Sequence, residues 1–395
     1  MSEKNHKRII IIAALLLLFL LVRSFLFSIA GFHEGDGAFL LRVRIAHDID
    51  SFVVSSTGTA GIEYYDASGA AKTERLRGKT EVRCDAKGIK IGDEACPSDK
   101  IRLMPGSRDF LGVNGVLYRG ELEVSKSGGD LDVLNIVELE DYLKGVLPKE
   151  VNHLWPFEAI KAQAVTSRSF AVYRALRNNK RGFDLTADTF SQVYGGKSAE
   201  KWRTNKAVDS TNGKVLTYAG KILPAYFHSC CGGHTENSSL AWGENTIVPL
   251  EGVSCRWCKW SPYYRWQARI STREIIKRLR SSGYEISRID DIKAGAEDRS
   301  GRLSYVSIRS GDNWFDVEGT DFMNSMGTRV VRSTNFRVKR QPFSYRFIGY
   351  GWGHGVGLCQ WGAFGQALRW KKSGDILQYY YPGTEIADLK ELDIL

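Results

Sequence analysis

Glu150 stands in the segment Gly145-Val146-Leu147-Pro148-Lys149-Glu150-Val151, with Trp155 shortly after it. Read as a loop, this stretch surrounds one carboxyl with apolar neighbours. Such surroundings disfavour the charged form and lift a carboxyl pKa toward the range of a general acid. A solvated surface glutamate is the plain alternative. Arg168 falls in the helical stripe Ile160, Ala164, Ala171, Ala175. A guanidinium turned inward is costly unless an anion meets it. The spacing therefore predicts a carboxylate or an anionic substrate group opposite Arg168, or a side chain that snorkels out at the stripe's edge.

A second group is the run from Gly349 to Gly362, with glycine at every second position as far as Gly357. As an extended strand it has one bare face and carries Tyr350, Trp352, His354, Val356 and Leu358 on the other. A bare face admits a ligand or another backbone. Trp352 and His354, with Gln360 nearby, suit stacking and hydrogen bonding to sugar rings; close packing in a β core is the alternative. The spacing is not that of a nucleotide-binding glycine loop, which needs a following helix. A third group pairs Cys231-x2-His234 with Cys255-x2-Cys258, the ligand types and spacing of a zinc site. Disulfides and free thiols stay open for the same residues. Of the seven cysteines, Cys84 and Cys96 could close a disulfide loop, and Cys359 reads as a buried free thiol.

These residues need elements to hold them. From about Phe39 to Leu134 the chain reads as short strands: Leu41–Ile45, Ser51–Ser55 and Gly61–Tyr65 come at turn-rich intervals. From Val137 the pattern turns helical. Glu138–Lys144 is a short helix, and Trp155-Pro156 opens a longer one to about Asn179. Ser271-Thr272-Arg273-Glu274 is a capping-box start for a helix ending near Gly283. Strands are expected around Val306–Ile308 and Arg337–Lys339, and Ser373 caps a last helix through Tyr380. The expected class is α+β: a β-rich N-terminal part, then a mixed α/β catalytic domain with a glycine-rich strand. Expected divisions are 1–32, 33–136 and 137–395.

The first division reads as an export segment. Lys4, Lys7 and Arg8 precede the apolar run Ile9–Val22, and Arg23 is followed by further apolar residues to Phe32. This is either an uncleaved membrane anchor or a signal peptide with Ser28-Ile29-Ala30 at its cleavage site. Both send the bulk of the chain outward. With 55 Lys+Arg against 45 Asp+Glu, the 395-residue chain has a net charge of +10. Nucleic acid, anionic lipid and an acidic wall polymer all fit that balance. Lacking a basic-aromatic module, the chain is not expected to bind nucleic acid.

Val137-Glu138-Leu139-Glu140-Asp141-Tyr142-Leu143-Lys144-Gly145-Val146, Lys149-Glu150, Trp155-Pro156 and Glu158–Val165 with Arg168 resemble the stage II sporulation protein D / amidase-enhancer family. So do Gln192-Val193-Tyr194-Gly195-Gly196, Phe227-His228-Ser229 with Gly232-Gly233, the Gly351–Ala363 motif, and Tyr379-Tyr380-Tyr381-Pro382-Gly383. The resemblance covers Phe39 to the end and is dense from Val137. It implies a lytic transglycosylase cutting peptidoglycan glycan strands between N-acetylmuramic acid and N-acetylglucosamine. It puts the catalytic acid on Glu150 and the required helix arginine on Arg168. Gln192, Tyr194, Trp352, His354, Gln360 and Tyr380 become the expected substrate contacts. No cofactor is expected for catalysis; any zinc on Cys231, His234, Cys255 and Cys258 would be structural. A cell-wall amidase is an expected partner. Some clostridial members hold zinc just before the Gln-x-Tyr motif. Here Leu185–Ser191 offers neither Cys nor His, so that site is not expected. A hydrolase would need a second carboxylate, and Asp141, Asp184 and Asp188 are the candidates.

Overall fold

Alternation along Leu40–Ile49 buries Leu41 and Val43 and leaves their neighbours nearer solvent, as period-two side chains on one sheet face require. The strand pairs antiparallel with Asp130–Glu138, and the sheet continues through Glu121–Ser127, Lys100–Pro105, Ala60–Tyr65 and Ala71–Arg75. Leu185–Thr186 adds a parallel strand on the other side of Leu40–Ile49. A second sheet runs Val116–Tyr118, Leu111–Val113, Ser51–Ser56, Thr80–Asp85, Gly88–Ile91, Glu94–Cys96. The computed structural model describes residues 38–65, 70–85, 88–96, 98–178, 181–188, 191–243 and 245–392. The expected anchor or signal segment lies outside them. Among the described residues no helix is long and apolar enough to cross a membrane.

The class is α+β, with the β-rich part first, as the patterning indicated. The chain forms two compact units: one runs up to Glu150 and includes Ala171–Asn205, the other holds Val151–Phe170 and Lys206 onward. Val137, where the division was drawn, lies inside the Asp130–Glu138 strand. Cys84 and Cys96 are both free. Cys84 pairs with Ile89, and Ile89 with Cys96, so the two thiols are two strands apart. That is roughly 10 Å, beyond the reach of a disulfide. The Cys84 thiol instead donates to the Gly129 carbonyl at 2.9 Å.

In the first unit the Leu139–Glu150 helix buries Leu139, Tyr142, Leu143, Val146 and Leu147, one face at helical spacing. It is longer than expected, and Glu150 is its last residue instead of a loop residue. Pro148 sits in the final turn, so the hydrogen bond it removes is among the last the helix would make. The helix Phe157–Asn178 is buried on all sides from Ala162 to Val172.

The second unit has two apolar cores. One gathers Ile275, Leu279, Val306, Ile308, Phe322 and Phe347 from the Thr272–Ser281 and Gly319–Met326 helices and two three-stranded sheets. Ser271 caps the first helix by accepting the Glu274 N–H at 3.2 Å, as its capping signature predicts. The other core sets Leu216, Leu223, Leu358, Ile376, Tyr380 and Tyr381 around five cysteines.

The glycine-rich run is not a strand. The preceding strand ends at Tyr350; single bridges of Trp352 with Cys230 and of Val356 with Glu236 follow, and a strand resumes only at Leu358–Cys359 alongside Phe227–His228. Gly351, Gly353, Gly355 and Gly357 have φ of +79°, +100°, +88° and +71°, whereas strands need negative φ. Space is as restrictive as handedness. A Cβ on Gly355 would lie 2.4 Å from Arg302 Cζ, and one on Gly357 2.0 Å from the Tyr226 carbonyl oxygen.

Candidate active site and a buried cysteine group

The helix that carries Glu150 binds the Gln192–Gly196 segment closely. Gly145 makes this possible, since a Cβ there would sit 2.6 Å from the Tyr194 ring. Gly195 N–H donates to the Gly145 carbonyl at 3.2 Å. Val193 N–H then reaches Glu150 Oε1, also at 3.2 Å. Tyr142 donates its hydroxyl to Gln192 Oε1 at 3.2 Å, and its ring lies 4.9 Å from that of Tyr194. Tyr194 in turn donates to Asn135 Oδ1 at 2.8 Å. Burial pushes both phenols well above the ordinary range; the Tyr194 and Glu150 charges act in the same direction on Tyr142. Gln192 and Tyr194 are 1% and 5% exposed. They are placed to fix the Glu150 helix end, and substrate could not reach them without rearrangement.

The alternative carboxylates are engaged elsewhere. Asp184 is buried and paired with Arg42, Nη2 to Oδ1 at 2.8 Å. Asp141 meets Lys144 at 3.1 Å and Arg119 at 3.8 Å, and Asp188 accepts from Thr186 Oγ1 at 2.8 Å.

Arg168 is inward and fully buried. Its guanidinium donates to the Lys214 carbonyl at 3.1 Å, the Val208 carbonyl at 3.3 Å and Thr211 Oγ1 at 3.5 Å. These acceptors lie at and beyond the C-terminal turn of the Trp202–Asp209 helix. Val208 lies in the last turn of that helix, at the negative end of its dipole, which a cation satisfies well, and Lys214 opens the Lys214–Tyr218 strand.

Around the glycine-rich run, His354 Nε2 donates to the Phe227 carbonyl at 2.9 Å, and its Nδ1 accepts the Val356 N–H at 3.1 Å. Those two bonds define the neutral tautomer. Burial, with the Arg302 charge, pushes the His354 pKa down to about 4 despite the Phe227 contact. Its ring lies 5.1 Å from Trp242 and 5.6 Å from His228. His228 Nδ1 contacts the Val356 carbonyl at 3.1 Å, and burial, then His354 and Arg302, depress its pKa strongly. Trp352 is half-buried, edge-on to Tyr263 at 4.5 Å, with the Arg332 guanidinium 5.2–5.3 Å from both rings. This cationic aromatic pair is suited to stack against a sugar face.

Cys231, Cys255, Cys258 and Cys359 are all buried, with their sulfurs within 4.8 Å of one another. His234 is not in this group: its Nδ1 lies 2.6 Å from the Thr235 carbonyl, and its backbone bridges Ser254. Cys359 fills the place expected of it. That residue caps the Gln360–Ala367 helix by accepting the Gly362 N–H at 3.3 Å, which aims its sulfur inward. Gln360 is buried in the same helix start, and Tyr380 is 1% exposed with its hydroxyl 3.1 Å from Cys255 Sγ. Tyr380 therefore faces the cysteines instead of a substrate.

A family model described as stage II sporulation protein matches residues 127–218, the stretch that holds Glu150, Arg168, Gln192 and Tyr194. The chain is 32% identical to stage II sporulation protein D of Bacillus amyloliquefaciens, over 64% of its own length and 75% of that protein's. The chain belongs to the stage II sporulation protein D / amidase-enhancer family. It is also 30% identical to the amidase enhancer of Bacillus subtilis over 62% of its length, but spans only 40% of that protein. An uncharacterized protein of Brachyspira hyodysenteriae is 36% identical over 73% of this chain and 77% of its own. A second family model, a domain of unknown function, matches residues 257–357.

In this member of the family, the sequence patterns leave Tyr263, Arg302 and the part played by Cys359 unmarked, and they single out His228 without a role. An odd cysteine count was the one available signal for Cys359. Nothing in local spacing marks Arg302, whose buried guanidinium lies against Gly355 and donates to the Cys231 carbonyl at 3.4 Å.

Proposed function

We propose that this protein is an exported cell-wall enzyme that cleaves peptidoglycan glycan strands by lytic transglycosylation. The supporting observation is Glu150 at a helix end, half-buried, with one carboxylate oxygen held by the Val193 N–H. A single carboxyl serves both halves of the reaction. As an acid, Glu150 protonates the glycosidic oxygen and the bond to the muramoyl C1 breaks. As a carboxylate, it then takes the proton from the muramoyl 6-hydroxyl while that oxygen closes on C1. The products are a new free hydroxyl on one fragment and a 1,6-anhydromuramoyl end on the other, with no water consumed. Engagement of Asp141 and Asp184 in ion pairs disfavours either as the second carboxylate of a hydrolase and supports the one-carboxyl route; for the exposed Asp188 the solvent-oxygen test below decides. The basic-then-apolar segment Lys4–Phe32 would carry the chain across the membrane and anchor it or be removed.

The test is digestion of peptide-stripped glycan followed by mass analysis. Anhydro-ended fragments are expected, and none from Glu150→Gln, which keeps the acceptor oxygen for Val193 but has no proton to give. The loss should be about 100-fold or more. Solvent oxygen in the new ends would instead indicate hydrolysis. A second reading, a wall-binding stimulator of an amidase, draws on the relative named amidase enhancer. It predicts no fragments from this chain alone and faster amidase turnover when it is added.

A further inference from the structure

We infer that Cys231, Cys255, Cys258 and Cys359 bind one zinc ion as a structural tetrathiolate site, independently of the glycan chemistry at Glu150. Four sulfurs, all buried, lie within 4.8 Å of one another, with Cys231 and Cys258 3.5 Å apart. A tetrahedron with Zn–S bonds of about 2.3 Å has sulfur–sulfur edges of about 3.8 Å. The observed spread brackets that length. A disulfide sulfur needs one partner at about 2 Å; here each sulfur has three at metal-site separation.

Hydrogen-bond donors are aimed at the sulfurs. Cys359 Sγ accepts N–H groups from Cys231 and Gly362, each at 3.3 Å, and Cys231 Sγ accepts from Gly233 at 3.5 Å. The Tyr380 hydroxyl lies 3.1 Å from Cys255 Sγ. Donors aimed at sulfur offset the negative charge a tetrathiolate site accumulates and fix the ligands in place. Backbone geometry agrees. Gly232 and Gly233, at φ +79° and +130°, turn the chain back immediately after Cys231. Cys255 comes just before the Trp257–Trp260 3₁₀ helix and Cys258 lies within it, and Cys359 heads a helix. Three distant chain segments thus meet at one point inside an apolar core. With four protein ligands no coordination position is open, so the ion crosslinks the fold and does not activate water. Thiolate ligands favour zinc over the harder divalent ions.

The set differs from the sequence-level expectation by one ligand, so variants discriminate. Full-length protein purified without added metal should contain one equivalent of zinc by elemental analysis. Exchange with cobalt(II) should give the intense visible bands of a tetrahedral tetrathiolate centre. His234→Ala and Cys230→Ser should each keep the full equivalent, whereas Cys359→Ser should weaken zinc retention at least tenfold against a chelator. Glu150→Gln should retain zinc whatever it does to glycan cleavage. Wild-type protein with no zinc and its group thiols oxidised to disulfides would overturn the proposal, as would iron in place of zinc. Loss of zinc from His234→Ala with full retention by Cys359→Ser would overturn the ligand set. Because the wild-type measurements need no variant to fold, failure of Cys359→Ser to fold leaves them decisive.

Discussion

Arg168 Nη1 donates to the carbonyl oxygen of Lys214 at 3.1 Å, while its Nη2 reaches that of Val208 at 3.3 Å. One buried guanidinium thereby ties the chain beyond the Trp202–Asp209 helix to the Phe157–Asn178 helix. Lysine cannot reproduce this fork. Arg168→Lys should lose at least one of these charged hydrogen bonds and destabilise the protein by about 1–3 kcal/mol. A urea transition read by circular dichroism checks this. Cleavage activity should fall in step with the folded fraction. A midpoint equal to wild type would show that the carbonyl contacts contribute nothing to stability.

His354 gives stability a definite pH sign. Its folded pKa is pushed down to about 4 from an ordinary 6.5, so between those values the unfolded chain binds the extra proton and the folded one does not. The contribution is present above about pH 6.5 and is lost as pH falls through about 4. His354→Gln should therefore show its largest deficit in melting temperature near neutrality, and that deficit should shrink toward about pH 4. A deficit independent of pH would refute the assignment.

Glu236 works in the opposite sense. Burial, helped by the neighbouring Asp298, raises its pKa to about 7. Ser300 Oγ stands 2.7 Å from a carboxyl oxygen of each residue. Burial also opposes charge on Asp298, but its hydrogen bonds to Glu236 and Ser300 win and hold its pKa below the usual range. The protonated Glu236 is the folded form, so its contribution is complete below about pH 4.5 and is lost as pH rises through about 7. Glu236→Gln, which keeps a neutral group there, should gain on wild type in melting temperature as pH rises across that window. A constant difference from pH 4.5 to pH 8 would count against a raised Glu236.

Two glycines with nearly the same φ should respond very differently. Gly357, at φ +71°, would put a Cβ 2.0 Å from the Tyr226 carbonyl oxygen, whereas Gly311, at φ +66°, has nothing within 4 Å of that position. Gly311→Ala carries only the left-handed backbone cost of about 1–2 kcal/mol. Gly357→Ala adds a backbone collision and should cost about 3 kcal/mol or more. Chemical denaturation of both variants makes the comparison, and equal losses would mean that handedness alone sets the requirement.

Local periodicity was enough for much of the fold. Alternation in Leu40–Ile49, Ser51–Ser56 and Ala60–Tyr65 marks strands, and Ser271 with Glu274 marks a helix start, because these signals act between residues a few positions apart. Helical spacing also placed Arg168 on an inward face. The motifs that carry the resemblance located Glu150 and the family, but Glu150's position at a helix end and its Val193 partner came only from the structure.

What local spacing could not decide was which distant groups meet. Arg168 found backbone carbonyls because a helix end from elsewhere in the chain packs over it. The helix bearing it is buried all round, since small residues such as Ala162, Ala164, Ser167 and Ser169 let neighbours approach on faces that show no apolar stripe. Alternate glycines read as a strand, yet the run turns through positive φ, and the Tyr226 carbonyl and Arg302 guanidinium leave no room there for a Cβ. Cys359 displaced His234 from the sulfur group for the same reason. Sequence fixes ligand types at short range, whereas the fourth corner of a tetrahedron belongs to whichever segment the folded core brings to it.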